Sequence, residues 1–192
     1  MLQAIIFSLA SLLSPLEETQ ATYTVDTDKS QVEWVGKKVT GQHNGTVNLK
    51  SGSLDFSAGK LEGGTFTIDM TSLVSTDLSG EYKGKLEGHL KSDDFFGVEN
   101  FPTATFVVTK AVPQGPGKYK VVGDITIKGK TEEIQFPVTL EEKDGMITGT
   151  ADMTIDRSKF DIRYGSGSFF DDLGDKTIYD DFELSVKISA SK

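Results

Sequence analysis

"FELSVKI" runs from Phe182 to Ile188 and alternates along its whole length. Phe182, Leu184, Val186 and Ile188 are apolar, and Glu183, Ser185 and Lys187 between them are polar. Successive side chains of an extended chain point to opposite faces, so this segment has one apolar side and one wet side. It reads as a half-buried β-strand. The fold then depends on how often the pattern recurs.

It recurs through most of the chain. Val32-Glu33-Trp34, Val47-Asn48-Leu49, Leu54-Asp55-Phe56, Phe66-Thr67-Ile68-Asp69-Met70, Ala104-Thr105-Phe106, Ile125-Thr126-Ile127, Ile134 to Leu140 and Ala151 to Ile155 all show it. Short spacers with Gly or Asp-Gly, such as Lys143-Asp144-Gly145, read as hairpin turns. Lys50-Ser51-Gly52-Ser53 reads as a further turn, and another glycine turn precedes Phe66. Many half-buried antiparallel strands imply an all-β barrel or sandwich. Pro137 cannot donate to a ladder and marks an edge or a bulge in its strand.

One stretch breaks this rhythm. Between Ser75 and Lys91, Leu78, Tyr82, Leu86, His89 and Leu90 fall on one helical face, with Gly80, Gly84 and Gly88 on another. The expectation is a short helix, or a string of turns, closing one end of the β structure.

The chain has 192 residues, a net charge of -9 and a pI near 4.7. That length suits one domain. The acidic balance disfavours nucleic acid, and no polybasic run offers an anchor for anionic lipid. There is no cysteine, which excludes disulfides, thiol nucleophiles and cysteine metal sites. With only His43 and His89 available, a multi-histidine metal centre is nearly excluded too.

Residues 2–13, "LQAIIFSLASLL", are apolar but too few to span a bilayer, which takes about 20 residues. They read as the core of a secretory signal peptide, residues 1–21, followed by a domain over 22–192 that works in the periplasm or outside the cell.

"SDDFF" at Ser92–Phe96 and "SFFDD" at Ser168–Asp172 are near mirror images that place Phe pairs beside Asp pairs. Phe95, Phe96, Phe169 and Phe170 read either as guards of a cavity mouth or as plain core. Asp171, Asp172, Asp175, Asp180 and Asp181 crowd one stretch. They read as a solvated face, with a calcium-binding or hydrolytic site as the alternative. "GSGSF" at Gly165–Phe169 is not a nucleophile elbow. Arg157 and Arg163 are the only arginines in the chain, and Tyr164 follows them. They could receive a polar or anionic head group, or simply pair with neighbouring aspartates.

Four stretches carry a resemblance: "EWVGKKVTGQHNGTVNLKSGSL" from Glu33, "GHLKSDDFFGVENFPTATF" from Gly88, "GDITIKGKTEEIQFPVTL" from Gly123, and the tail from Thr154. Together they resemble the YceI-like family of periplasmic or secreted bacterial proteins. The resemblance implies an extended, eight-stranded antiparallel lipocalin-like barrel with short helical elements at one end. It also implies a non-enzymatic protein that holds a long-chain isoprenoid or similar amphiphile in an apolar tunnel. The expected ligand is an isoprenoid quinone or prenyl lipid, with no cofactor and no metal. On that basis Trp34, Phe66, Ile68, Phe106, Ile125, Ile127, Phe136, Val138, Phe182 and Leu184 should line the tunnel. Leu86, Leu90 and the two Phe pairs should lie at its end. Transient membrane contact fits such a carrier. The oligomeric state stays open, a dimer included.

Overall fold

The structure, a computed structural model, describes residues 20–192; the expected signal segment lies almost wholly outside the described residues. Nine strands form one closed antiparallel barrel. They are β1 (Gln20–Val25), β2 (Gln31–Lys38), β3 (Gly41–Ser57), β4 (Lys60–Ser75), β5 (Thr103–Gly115), β6 (Lys118–Ile127), β7 (Lys130–Lys143), β8 (Met146–Asp156) and β9 (Ile178–Ser191). From β2 onward each strand pairs with the next, and β9 returns to β2.

Nine strands fill eight positions. β1 pairs with the far half of β3, from Gln20–Ser57 to Thr24–Ser53, and β2 with its near half, from Val32–Val47 to Lys38–Gly41. The two therefore share one place in the wall. Seven residues lie between Thr24 and Val32, but five between their partners Ser53 and Val47, and the surplus bulges out as a one-turn 3-10 helix at Thr27–Lys29. The expected eight-stranded lipocalin-like barrel is what the chain forms.

Two expected turns are not turns. Lys50 to Ser53 lies inside β3, which runs unbroken past it with a bulge between Leu49 and Ser51, and Gly63-Gly64 lies inside β4. The glycines are there for room. A Cβ on Gly52 would sit 2.9 Å from both Phe66 and Val25 side chains, and one on Gly64 would sit 2.7 Å from the Ser53 carbonyl oxygen. The real hairpin turn is Ala58-Gly59, both at positive φ, and Asp144-Gly145 is a turn of the same kind, as expected.

Pro137 marks a seam. Residues 130–137 of β7 pair with β6 alone, and pairing with β8 begins only at Val138–Ala151. The short 3-10 turn Arg157–Phe160 packs against β7 there, with Phe160 almost fully buried.

The barrel has two unlike ends. Short hairpins close one. At the other, after β4, sits α1 (Gly80–Lys91), then the loop to β5, with the long 157–177 connection beside them. Of the expected helical face, Leu86 and Leu90 pack against the core, whereas Tyr82 is 75% exposed. The helix is moored by charge instead. Glu87 accepts from the Ser75 amide at 2.8 Å, and Lys83 Nζ donates to the Ser75 carbonyl at 2.5 Å.

Strand interiors show how the inward face is packed. A Cβ on Gly123 would meet the Phe106 ring at 2.5 Å and the Val107 carbonyl at 2.4 Å, whereas one on Gly36 would meet nothing within 4 Å. The same substitution should therefore have opposite outcomes. Gly123→Ala is expected to lower the unfolding free energy by about 1–3 kcal/mol through overpacking. Gly36→Ala should leave it unchanged or raise it by about 0.4–1 kcal/mol, because the unfolded chain loses freedom. Denaturant unfolding of the two variants checks this.

Candidate functional site

The inward faces do not fill the barrel. A first cavity, of about 120 Å³, lies toward the hairpin end, bounded by residues such as Leu54, Leu61, Phe66, Val121, Phe136 and Leu140. A second, also about 120 Å³, lies toward the capped end, against Trp34, Met70, Leu90, Phe95, Phe96 and Phe182. Val32, Ile68, Ile125 and Leu184 line both, so the two are lobes of one lumen. The walls are almost wholly apolar surface.

The strand alternation that defines the fold also builds this lumen. Phe66, Phe106, Phe136 and Val138 face the hairpin-end lobe, Trp34, Ile127 and Phe182 the cap-end lobe, and Ile68, Ile125 and Leu184 both. Rings meet across neighbouring strands, Phe66 to Phe106 at 6.4 Å and Phe106 to Phe136 at 5.3 Å between centroids. Leu90 reaches the cap-end lobe, but Leu86 packs on the core without lining either lobe.

The mirrored Phe pairs part company. Phe95 and Phe96 turn inward as an edge-to-face pair 5.1 Å apart, Phe96 meets Phe182 at 6.3 Å, and Asp93 and Asp94 face water. Phe169 and Phe170 are 38% and 49% exposed and reach neither lobe. Phe169 lies under the Arg163 guanidinium at 5.0 Å. Phe170 borders an outer polar groove with Asp93, Asp94, Lys128, Arg163 and Tyr164. The reason is what each pair lies against. Backbone bonds from Phe96 to the Leu90 carbonyl and from Phe95 to that of Ser92 roll the first pair under the helix. The second pair bonds back to the Ser166 carbonyl in the 157–177 connection and stays on the outside.

The head-group candidates also divide. Arg157 is 2% exposed, at the floor of the cap-end lobe, with three of its N–H groups engaged by backbone carbonyls. Nε donates to the Tyr179 carbonyl (3.2 Å), Nη1 to that of Ile162 (2.7 Å) and Nη2 to that of Ile178 (3.0 Å), and Asp180 is an ion partner at 3.3 Å. Burial pulls its pKa below the ordinary guanidinium value, against the pull of Asp180 and Asp156. Its face also covers Phe95 at 5.3 Å. Arg163 is exposed and bonds Asp161, and Tyr164 is 49% exposed. Neither Arg163 nor Tyr164 faces the lumen.

The aspartates expected as an alternative site do not converge. Asp180 is turned inward to Arg157 and accepts from Ser168 Oγ at 2.6 Å, while Asp171, Asp172, Asp175 and Asp181 are exposed. Among the described residues no three His, Asp or Glu side chains are grouped to hold a metal ion. The histidines differ from each other as well. His43 Nδ1 meets Asp77 at 2.8 Å, whereas His89 lies among rings, Tyr164 at 4.2 Å and Phe95 at 5.8 Å, with its Nε2 unpartnered.

Asp77 clamps the capped end to the start of β3. Burial works against its carboxylate, but bonds from His43, Ser75 Oγ and the Asn44 amide outweigh it and hold the pKa at about 2. The folded value lies below that of a free aspartate, so the unfolded chain binds the proton more readily. The clamp's stabilisation is full above about pH 4 and is lost as pH falls toward 2. Asp77→Asn should lower stability at neutral pH by on the order of 1–2 kcal/mol. In urea unfolding across a pH series, the gap between the two proteins should shrink between pH 4 and 2.

Comparisons with known proteins agree with this architecture. A protein named UPF0312 from Shewanella denitrificans is 29% identical over 138 residues, covering 69% of this chain and 66% of the relative. The crystal structure of BcnA from Burkholderia cenocepacia superposes with a TM-score of 0.68 at 27% identity, covering 87% of this chain and 99% of BcnA. A polyisoprenoid binding domain from Saccharophagus degradans, implicated in plant cell wall breakdown, shares the fold with a TM-score of 0.63 at 15% identity, covering 88% of this chain and 97% of that one. The family model described as the YceI-like domain matches residues 23–190, and the chain belongs to the YceI-like family.

Proposed function

We propose that this protein binds one long, uncharged, chain-like lipid, an isoprenoid quinone or prenyl lipid, and carries it outside the cytoplasm. The observation that carries this reading is the lumen itself: two apolar lobes joined through Val32, Ile68, Ile125 and Leu184. A slender tail suits a long joined cavity better than a compact ligand does. The polyisoprenoid binding domain that shares the fold takes a ligand of this class.

The lumen also favours a neutral ligand. Arg157, the cation at its floor, has given three of its five N–H groups to carbonyls and pairs with Asp180. A buried carboxylate or diphosphate would have to compete with Asp180 for that charge, and an unpaired buried charge is very costly. Carriage fits the energetics better than storage. Each methylene taken from water gains about 0.8 kcal/mol, but a lipid drawn from a membrane was already dry, so the net gain is small and exchange is reversible. The apolar run at residues 2–13 supports export. Among the described residues no helix is long and apolar enough to cross a membrane.

Native mass spectrometry of protein purified from its own host should show one long-chain neutral lipid that organic solvent removes. Ala151 lines the hairpin-end lobe, and Ala151→Phe, which places bulk there, should cut the bound lipid at least about tenfold. Reloading the stripped protein should raise its unfolding midpoint, by about 2.7 kcal/mol of stability at a hundredfold excess over Kd. Protein with nothing to extract, and no gain on loading, would overturn the proposal.

A further inference from the structure

The barrel wall opens at a place where the lumen-facing position has no side chain. β2 and β9 pair continuously from Gln31–Lys187 to Gly36–Phe182 and again at Lys38–Ile178. Between those pairs, Lys37 alone faces Tyr179, Asp180 and Asp181. Such a bulge leaves the ladder interrupted and bends the longer strand away. The Tyr179 carbonyl inside the gap, and that of Ile178 at its edge, turn to Arg157 instead of the ladder. A carbonyl with a side-chain partner does not need the ladder, so the strands can stand apart there.

Alternation puts Trp34 and Gly36 inside and Lys37 outside, where Lys37 pairs with Glu183. Yet Lys37, Tyr179 and Asp181 all line the cap-end lobe. Outward residues line an inner cavity where that cavity reaches through the wall. At the inner edge of the gap a Cβ on Gly36 would meet nothing within 4 Å. The outer rim carries Val39 and Tyr179, 48% and 50% exposed, as apolar surface that a membrane could receive.

We propose that this β2–β9 bulge is the portal through which the lipid enters and leaves, with Gly36 as its gap. The proposal rests on the lipid-binding reading above. The seam between β7 and β8 is the rival route, but Phe136 and Met153 put large side chains on its inner face, where Gly36 puts none at the bulge.

The absence of cysteine allows a direct test. Lys37→Cys and, over the seam, Gln135→Cys each give a single thiol for a bulky maleimide. Uptake of a polyprenyl quinone from phosphatidylcholine vesicles is timed for each variant before and after labelling. Labelling at residue 37 should slow uptake at least about tenfold while the amount bound at equilibrium changes little; labelling at residue 135 should not slow it. Gly36→Phe, which fills the gap from inside, should slow uptake with the unfolding midpoint preserved. Slowing at residue 135 alone, or at neither position, overturns the portal. Protein that takes up no quinone before labelling overturns the lipid reading, and the portal with it.

Discussion

A guanidinium almost sealed from water holds the capped end of this barrel together. Arg157 gathers the carbonyls of Ile162, Ile178 and Tyr179, pairs with Asp180 and covers the Phe95 ring. Those groups come from three separate stretches of chain. An ammonium would gather its acceptors around one nitrogen at the end of a flexible stem, whereas the planar fork holds three carbonyls from three different nitrogens in fixed directions. Removing the side chain would strand three buried acceptors and a carboxylate, and uncompensated buried groups of that kind are strongly destabilising. The bulge in β9, the seat of the "DDFF" loop and the path of the 157–177 connection all lean on this one residue.

The lumen depends on a second constraint, the match of large and absent side chains. Phe106 can lie flat inside because Gly123 has no Cβ, and the Trp34 ring occupies the room that Gly45 leaves, where an added Cβ would come within 2.6 Å of it. Glycine weakens a strand, so each such position marks a place where the shape of the interior outranks strand propensity. Gly36 is the exception, since nothing fills the room it leaves.

The alternation in "FELSVKI" and its counterparts made the strands, their inward faces and the barrel legible, because period-2 burial is a local signal. Glycine was less legible. Gly52 and Gly63-Gly64 look like turns in one dimension, and only the facing Phe66, Val25 and Ser53 reveal close packing instead. The two Phe pairs look equivalent in sequence, yet a helix overlies one and only loop surrounds the other, a difference of tertiary context. The role of Arg157 was out of reach for the same reason. Three of its four partners lie more than twenty residues away along the chain, and three of its acceptors are backbone, which carries no sequence signature.

Trp34 is the chain's single tryptophan, and it stands in the lumen wall. Its indole N–H is buried without a partner. Indole emission depends on the polarity and mobility of its surroundings, and no second indole adds background. The intrinsic fluorescence of this protein is therefore an optical readout of its interior. Filling or emptying the cap-end lobe should change the light the protein emits, with no dye attached.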